Sequence, residues 1–169
     1  MSPLPPSLTT LPIVEQYKTP GVGPASKKLK VILTDAGKHL ALPIFTGRNR
    51  LRDTLGEVFG ECRAEGWDGY QAKPIPHAAL LEAYSLIDSF PVLTRIPDVV
   101  PESSGAFQLE WNMGGRKFLI SVGGSGSIHY AGLLGGGDEL HGMEKFVDTC
   151  PSVLRLVLNT YFGETAFVG

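Results

Sequence analysis

AFQLEWNMGGRKFLISVGGSGSIHYAGLL, residues 106–134, is the stretch that decides the fold. Phe107, Leu109 and Trp111 alternate with Gln108 and Glu110, the two-residue period of a strand with one face in a core. Asn112, Met113, Gly114 and Gly115 form a turn signal, after which Lys117 to Val122 alternates again with Phe118, Ile120 and Val122 inward. Gly123, Gly124, Ser125 and Gly126 make the next turn, and Ser127 to Leu134 is a third strand with Ile128 and Tyr130 on one face. Three consecutive strands joined by short turns predict an antiparallel meander over Ala106 to Leu134.

On either side of the meander the hydrophobic period changes to that of a helix. From Asn49 to Ala64, Leu51, Leu55, Val58, Phe59 and Cys62 recur at steps of three and four, and Gly66 supplies a stop. Pro76 opens a second helix that carries Ala79, Leu80, Ala83, Tyr84, Ile87 and Phe90 on one stripe until Pro91 ends it. The stretch between Pro91 and the meander reads as irregular. A last helix, Ser152 to Phe162, follows Pro151 with Val153, Leu156, Val157 and Tyr161 on one face. Helices and strands fall in separate blocks, so the class is α+β with about three helices, not an alternating α/β layout.

The N-terminal part differs in character. Pro3, Pro5, Pro6, Pro12, Pro20 and Pro24 prevent a continuous helix or a regular ladder, so residues 1–28 read as an extended proline-rich leader, a docking strap or a partner-binding arm. Residues 29–169 then form one domain. Within it, Lys30 to Thr34 and His39 to Phe45 flank the turn-forming Asp35, Ala36 and Gly37, and predict a hairpin that extends the sheet, with Pro43 holding its second strand at an edge.

Composition narrows the functional classes. In 169 residues, 15 Lys and Arg stand against 17 Asp and Glu, a net charge of −2 without the basic excess of a phosphate-binding protein. Gly (21) and Pro (13) are abundant, so turns and loops occupy much of the chain. Cys62 and Cys150 have no metal-ligand spacing and are too few for a disulfide scaffold, which favours a reducing cytoplasm. MSPLPPSLTTLP lacks the basic and apolar regions of a signal peptide, and no apolar run approaches the ~18 residues a membrane helix needs.

The most distinctive word is Trp67-Asp68-Gly69-Tyr70-Gln71-Ala72-Lys73-Pro74, between the first two helices. One reading makes its aromatics and charges a recognition surface. The other is structural: Asp68 caps an Asx-turn, Gly69 takes the left-handed position, and Trp67 and Tyr70 pack beneath the loop. Glu110 and His129 are a possible acid–base pair, yet the alternation puts both on the face opposite the core. His39, His77, His129 and His141 lack metal spacing, and Asp138, Glu139 and His141 read as solvent-facing groups of a glycine-rich loop. Gly135, Gly136 and Gly137 lack the Lys and Ser/Thr of a phosphate loop and read as a flexible connection, so no cofactor is implied. Two short basic groups, Lys27, Lys28 and Lys30, then Arg48, Arg50 and Arg52, could meet an acidic protein surface or a phosphate backbone, or stand in water.

Trp67-Asp68-Gly69-Tyr70, Ala72-Lys73-Pro74, a short amphipathic helix, Gln108-Leu109-Glu110-Trp111 and Tyr130-Ala131-Gly132 together resemble a group of small, mostly uncharacterised bacterial proteins of accessory and prophage regions. The likeness covers roughly Leu51 to Phe162 and excludes the leader. It implies toxin neutralisation or interference with host defence, in the manner of an antitoxin or an anti-CRISPR protein, and brings no catalytic residue with it. The expectation is a non-catalytic factor that binds a protein partner through Trp67, Asp68, Tyr70 and Lys73 and through Lys27 and Lys28 of the leader. Its rivals are a small hydrolase using Glu110, His129 and Asp68, and a nucleic-acid-binding accessory protein.

Overall fold

The computed structural model describes residues 47–163. The proline-rich leader, with Lys27 and Lys28, and the expected hairpin at residues 30–45 lie outside the described residues. A helix covers residues 47–61 (α1), followed by α2 (His77–Ser89), strands β1 (Asp98–Glu102), β2 (Ala106–Met113), β3 (Arg116–Val122), β4 (Ser127–Leu133) and β5 (Glu139–Lys145), and α3 (Ser152–Tyr161). The strands form one antiparallel sheet in the order β1-β2-β3-β4-β5. The class is α+β as the blocks predict, but the meander has five strands where the sequence reading placed three.

Both additional strands are edges, and that is why their patterns are weak. β1 contains Pro101, which a strand tolerates only where no neighbour needs its N–H. β5, with the sequence ELHGMEK, exposes Glu139, His141, Met143 and Lys145 and only half-buries Leu140, Gly142 and Glu144, so neither set is uniformly apolar or polar and the period is weak. Gly135, Gly136 and Gly137 are accordingly the hairpin turn joining β4 to β5, closed by Leu134 N–H to the Asp138 carbonyl at 2.9 Å. They are not a loose connection.

The central register follows the alternation. Trp111 faces Phe118, Leu109 faces Ile120 and Phe107 faces Val122 across β2 and β3, and Ile120 faces Tyr130 across β3 and β4. Phe107, Leu109, Trp111, Phe118, Ile120, Val122 and Ile128 are all buried, each contributing about 1.5–3 kcal/mol of burial. Over this face pack α2 and the end of α3: the rings of Phe90, Phe118 and Phe162 surround Trp111 at 5.7–6.3 Å, and its indole N–H donates to the Arg95 carbonyl at 2.7 Å. A buried indole thus packs and is satisfied together.

Leu51, Leu55 and Cys62 of the α1 segment are buried as the stripe predicts, and Val58 and Phe59 pack against the core. On α2, Leu86 joins the expected Ala79, Leu80, Ala83 and Ile87. On α3 the buried face is Leu154, Val157 and Leu158, while Leu156 is 66% exposed, which corrects the face expected from the sequence. Apolar residues spread round much of this short helix, apart from the side of Arg155 and Asn159, let two stripes compete, and the ring of Phe162 after the helix selected one. No described helix is long and apolar enough to cross a membrane.

Candidate functional site

One end of the sheet gathers the β1–β2 turn, the β3–β4 turn, the start of α2 and the loop between α1 and α2. The last is built from its own side chains. Asp68 Oδ1 accepts the N–H groups of Tyr70 at 2.8 Å and Ala72 at 3.2 Å, an Asx-turn that Gly69 completes at φ +83°. Gly66 N–H reaches the Ala72 carbonyl at 2.8 Å, the Trp67 indole N–H reaches the Lys73 carbonyl at 3.0 Å, and Ile75 N–H reaches the Cys62 carbonyl at 2.9 Å. Lys73 N–H then donates to the Ser103 carbonyl at 2.9 Å, tying the loop to the β1–β2 turn.

Within this loop the side chains divide. Ala72 and Ile75 are buried and Trp67 packs partly buried against the core. Tyr70, expected beneath the loop, is instead 86% exposed, because Trp67, Ala72 and Ile75 already fill the inward side. Asp68 and Lys73 are exposed beside it. Of the residues expected to bind a partner, Trp67 and Asp68 hold the loop, and Tyr70 and Lys73 are what it displays.

Adjoining the β1–β2 turn is a groove of about 500 Å3 lined by Glu102, Ser104, Ser121, Ser125, Ser127 and His129. Ser104 Oγ donates to Glu102 at 2.9 Å, and Ser121 is the register partner of His129 across β3 and β4. The sequence reading did not single out these serines. Counting outward positions along β3 and β4 pairs Ser121 with His129, but only the register shows it.

Glu110, His129 and Asp68 do not converge. Glu110 pairs with Leu119 and His129 with Ser121, so they stand on β2 and β4 with β3 between them and two positions offset. Glu110 is occupied by the Gln108 amide and by Lys117, whose Nζ lies 3.6 Å away. Asp68 is engaged in its turn. Glu139 and His141 share β5 with outward alternation, and among the described residues no three His, Cys, Asp or Glu side chains are grouped to hold a metal ion.

The second basic group is largely absorbed by the fold. Arg48 donates to the carbonyls of Asp88, Phe90 and Pro91 at the end of α2, where last-turn carbonyls lack helical partners. Arg52 pairs with Asp88 at 2.6 Å and lies over the Tyr84 ring at 4.5 Å. Both residues therefore fix α1 to α2.

Sequence reasoning also missed Glu82. From α2 its carboxylate accepts the N–H groups of Gly124 at 2.6 Å and Gly126 at 2.8 Å, occupying the concavity of the β3–β4 turn. A lone Glu on a helix gives no sequence signal of a partner more than forty residues away. Comparison with protein-family models, with curated proteins and with solved structures gives no match. The fold is that of a five-stranded antiparallel meander with helices on one face, and its functional reading rests on what this end of the sheet displays.

Proposed function

We propose that this chain is a non-catalytic factor that binds and neutralises a protein partner, with Tyr70 as the anchor of the contact. One observation supports this reading above the others: a tyrosine 86% exposed on a loop whose backbone is closed by its own hydrogen bonds. A large amphipathic side chain on a preordered backbone loses little further entropy on binding, and tyrosine is among the residues that dominate interface energies. Lys73 and Asp68 beside it supply charges for orientation. The resemblance to accessory-region proteins makes a toxin or a host-defence nuclease complex the partner class, within a cytoplasmic setting, and the charge of Lys27 and Lys28 in the leader, outside that resemblance, supplies a second, steering contact.

A hydrolase is disfavoured by the dispersal of Glu110, His129 and Asp68. Nucleic-acid binding is disfavoured by the net charge of −2 and by the engagement of Arg48 and Arg52 inside the fold. The test is affinity capture from the native host with the intact chain and with Tyr70→Ala. A protein recovered with the former and lost with the latter, at unchanged circular dichroism, supports the proposal. Recovery of the same proteins with both overturns it.

A further inference from the structure

The two edges of the sheet are unlike. β1 is blunted by Pro101, which has no N–H to offer a further strand. β5 has no proline and is paired with β4 along all of its seven residues. The bonds Leu134 N–H to Asp138 O and Phe146 N–H to Gly126 O, both 2.9 Å, set the phase of that ladder: even-numbered residues of β5 bond to β4. The backbone N–H and C=O groups of Glu139, His141, Met143 and Lys145 consequently point to the outer edge, where no described strand meets them.

We infer that β5 is the contact surface for a second copy of this chain, joined antiparallel about a two-fold axis through Gly142 to make a continuous ten-stranded sheet. Charge selects this partner and this register. Centred on Gly142, the pairing sets Glu139 opposite Lys145 of the second copy, twice by symmetry, and His141 opposite Met143 of the second copy. Parallel pairing in register would oppose Glu139 to Glu139 and Lys145 to Lys145. A two-residue slip of the antiparallel pairing in either direction leaves both Glu139 and Lys145 without the opposite charge across from them. The centred register also covers Met143, which is 61% exposed on a single copy.

Mass measured by light scattering across a concentration series of the intact chain tests this, with circular dichroism as the check on folding. The expected result is a dimer that dissociates on dilution. Glu139→Lys alone and Lys145→Glu alone each place like charges opposite one another twice, and should weaken association by about tenfold or more. The double variant Glu139→Lys/Lys145→Glu restores opposite charges and should restore the dimer. A chain that stays monomeric overturns the proposal. So does a dimer indifferent to both single reversals, or one that the double reversal fails to recover, since another surface would then hold it. These readouts are independent of Tyr70 and of any captured partner.

Discussion

Glu82 and Gly124 are joined by a 2.6 Å hydrogen bond from the Gly124 backbone N–H to the Glu82 carboxylate, which bridges the middle of α2 and the turn between β3 and β4. The same carboxylate takes Gly126 N–H at 2.8 Å. A charged acceptor on two amide groups of a tight turn is stronger than the same bonds between neutral groups. It locks the helix layer to the sheet at the end that also displays the Tyr70 loop.

Removing that acceptor leaves two amide groups without it. Glu82→Ala should destabilise the chain by about 2–4 kcal/mol, and Glu82→Gln, which keeps one acceptor oxygen, by less. Urea denaturation followed by tryptophan fluorescence measures both.

Gly124 is required for space as well as for its φ of +77°. A Cβ there would sit 2.5 Å from the Ala79 nitrogen and 2.7 Å from the Ala78 carbonyl carbon, backbone atoms that cannot step aside. At Gly126, φ is +74° but a Cβ would meet nothing within 4 Å. Gly126→Ala should therefore cost only the left-handed backbone penalty of about 1–2 kcal/mol, whereas Gly124→Ala should cost clearly more and lower the soluble yield. Equal costs would show that helix and turn are not in close contact.

The aromatic residues of the α1–α2 loop should separate stability from recognition. Tyr70→Ala is expected to change stability by no more than about 0.5 kcal/mol, as for an exposed side chain without partners, while abolishing partner capture. Trp67→Ala removes a half-buried ring and its bond to the Lys73 carbonyl, and should cost about 2–4 kcal/mol. Thermal denaturation of the two variants alongside the capture assay distinguishes them.

Cys150 should make stability fall in alkali. Burial pushes its thiol from an ordinary 9.0 up to about 11, with Arg155 opposing the shift. A raised folded-state value means that the folded chain holds the proton more tightly. The associated stability is intact below pH 9.0 and is lost as the pH rises toward about 11. Relative to its own stability at neutral pH, Cys150→Ala should lose less over that interval, and the native thiol should resist alkylation until the chain is unfolded.

The three inner strands were legible because each has a face in the core and a face outside it, and the two-residue period records that asymmetry directly. The α1 and α2 stripes were legible for the same reason at the helical period. On α3, Leu154, Leu156 and Leu158 offered more than one apolar face, and only the position of Phe162 against Trp111 and Phe118 settled which was buried. β1 and β5 were obscured because an edge strand buries less, admits Pro101, and mixes charges into its pattern.

The sequence by itself determined the α+β class, the central meander and its core, and the Asx-turn of Asp68 with Gly69, since these depend on periodicity and on chemistry between near neighbours. Tertiary structure alone decided that Tyr70 faces outward, that Arg48 and Arg52 serve the helix junction, and that Glu82 closes the Gly124 turn. Each of those outcomes turns on which groups meet across tens of residues of chain, and local sequence preferences do not encode that competition for partners and space.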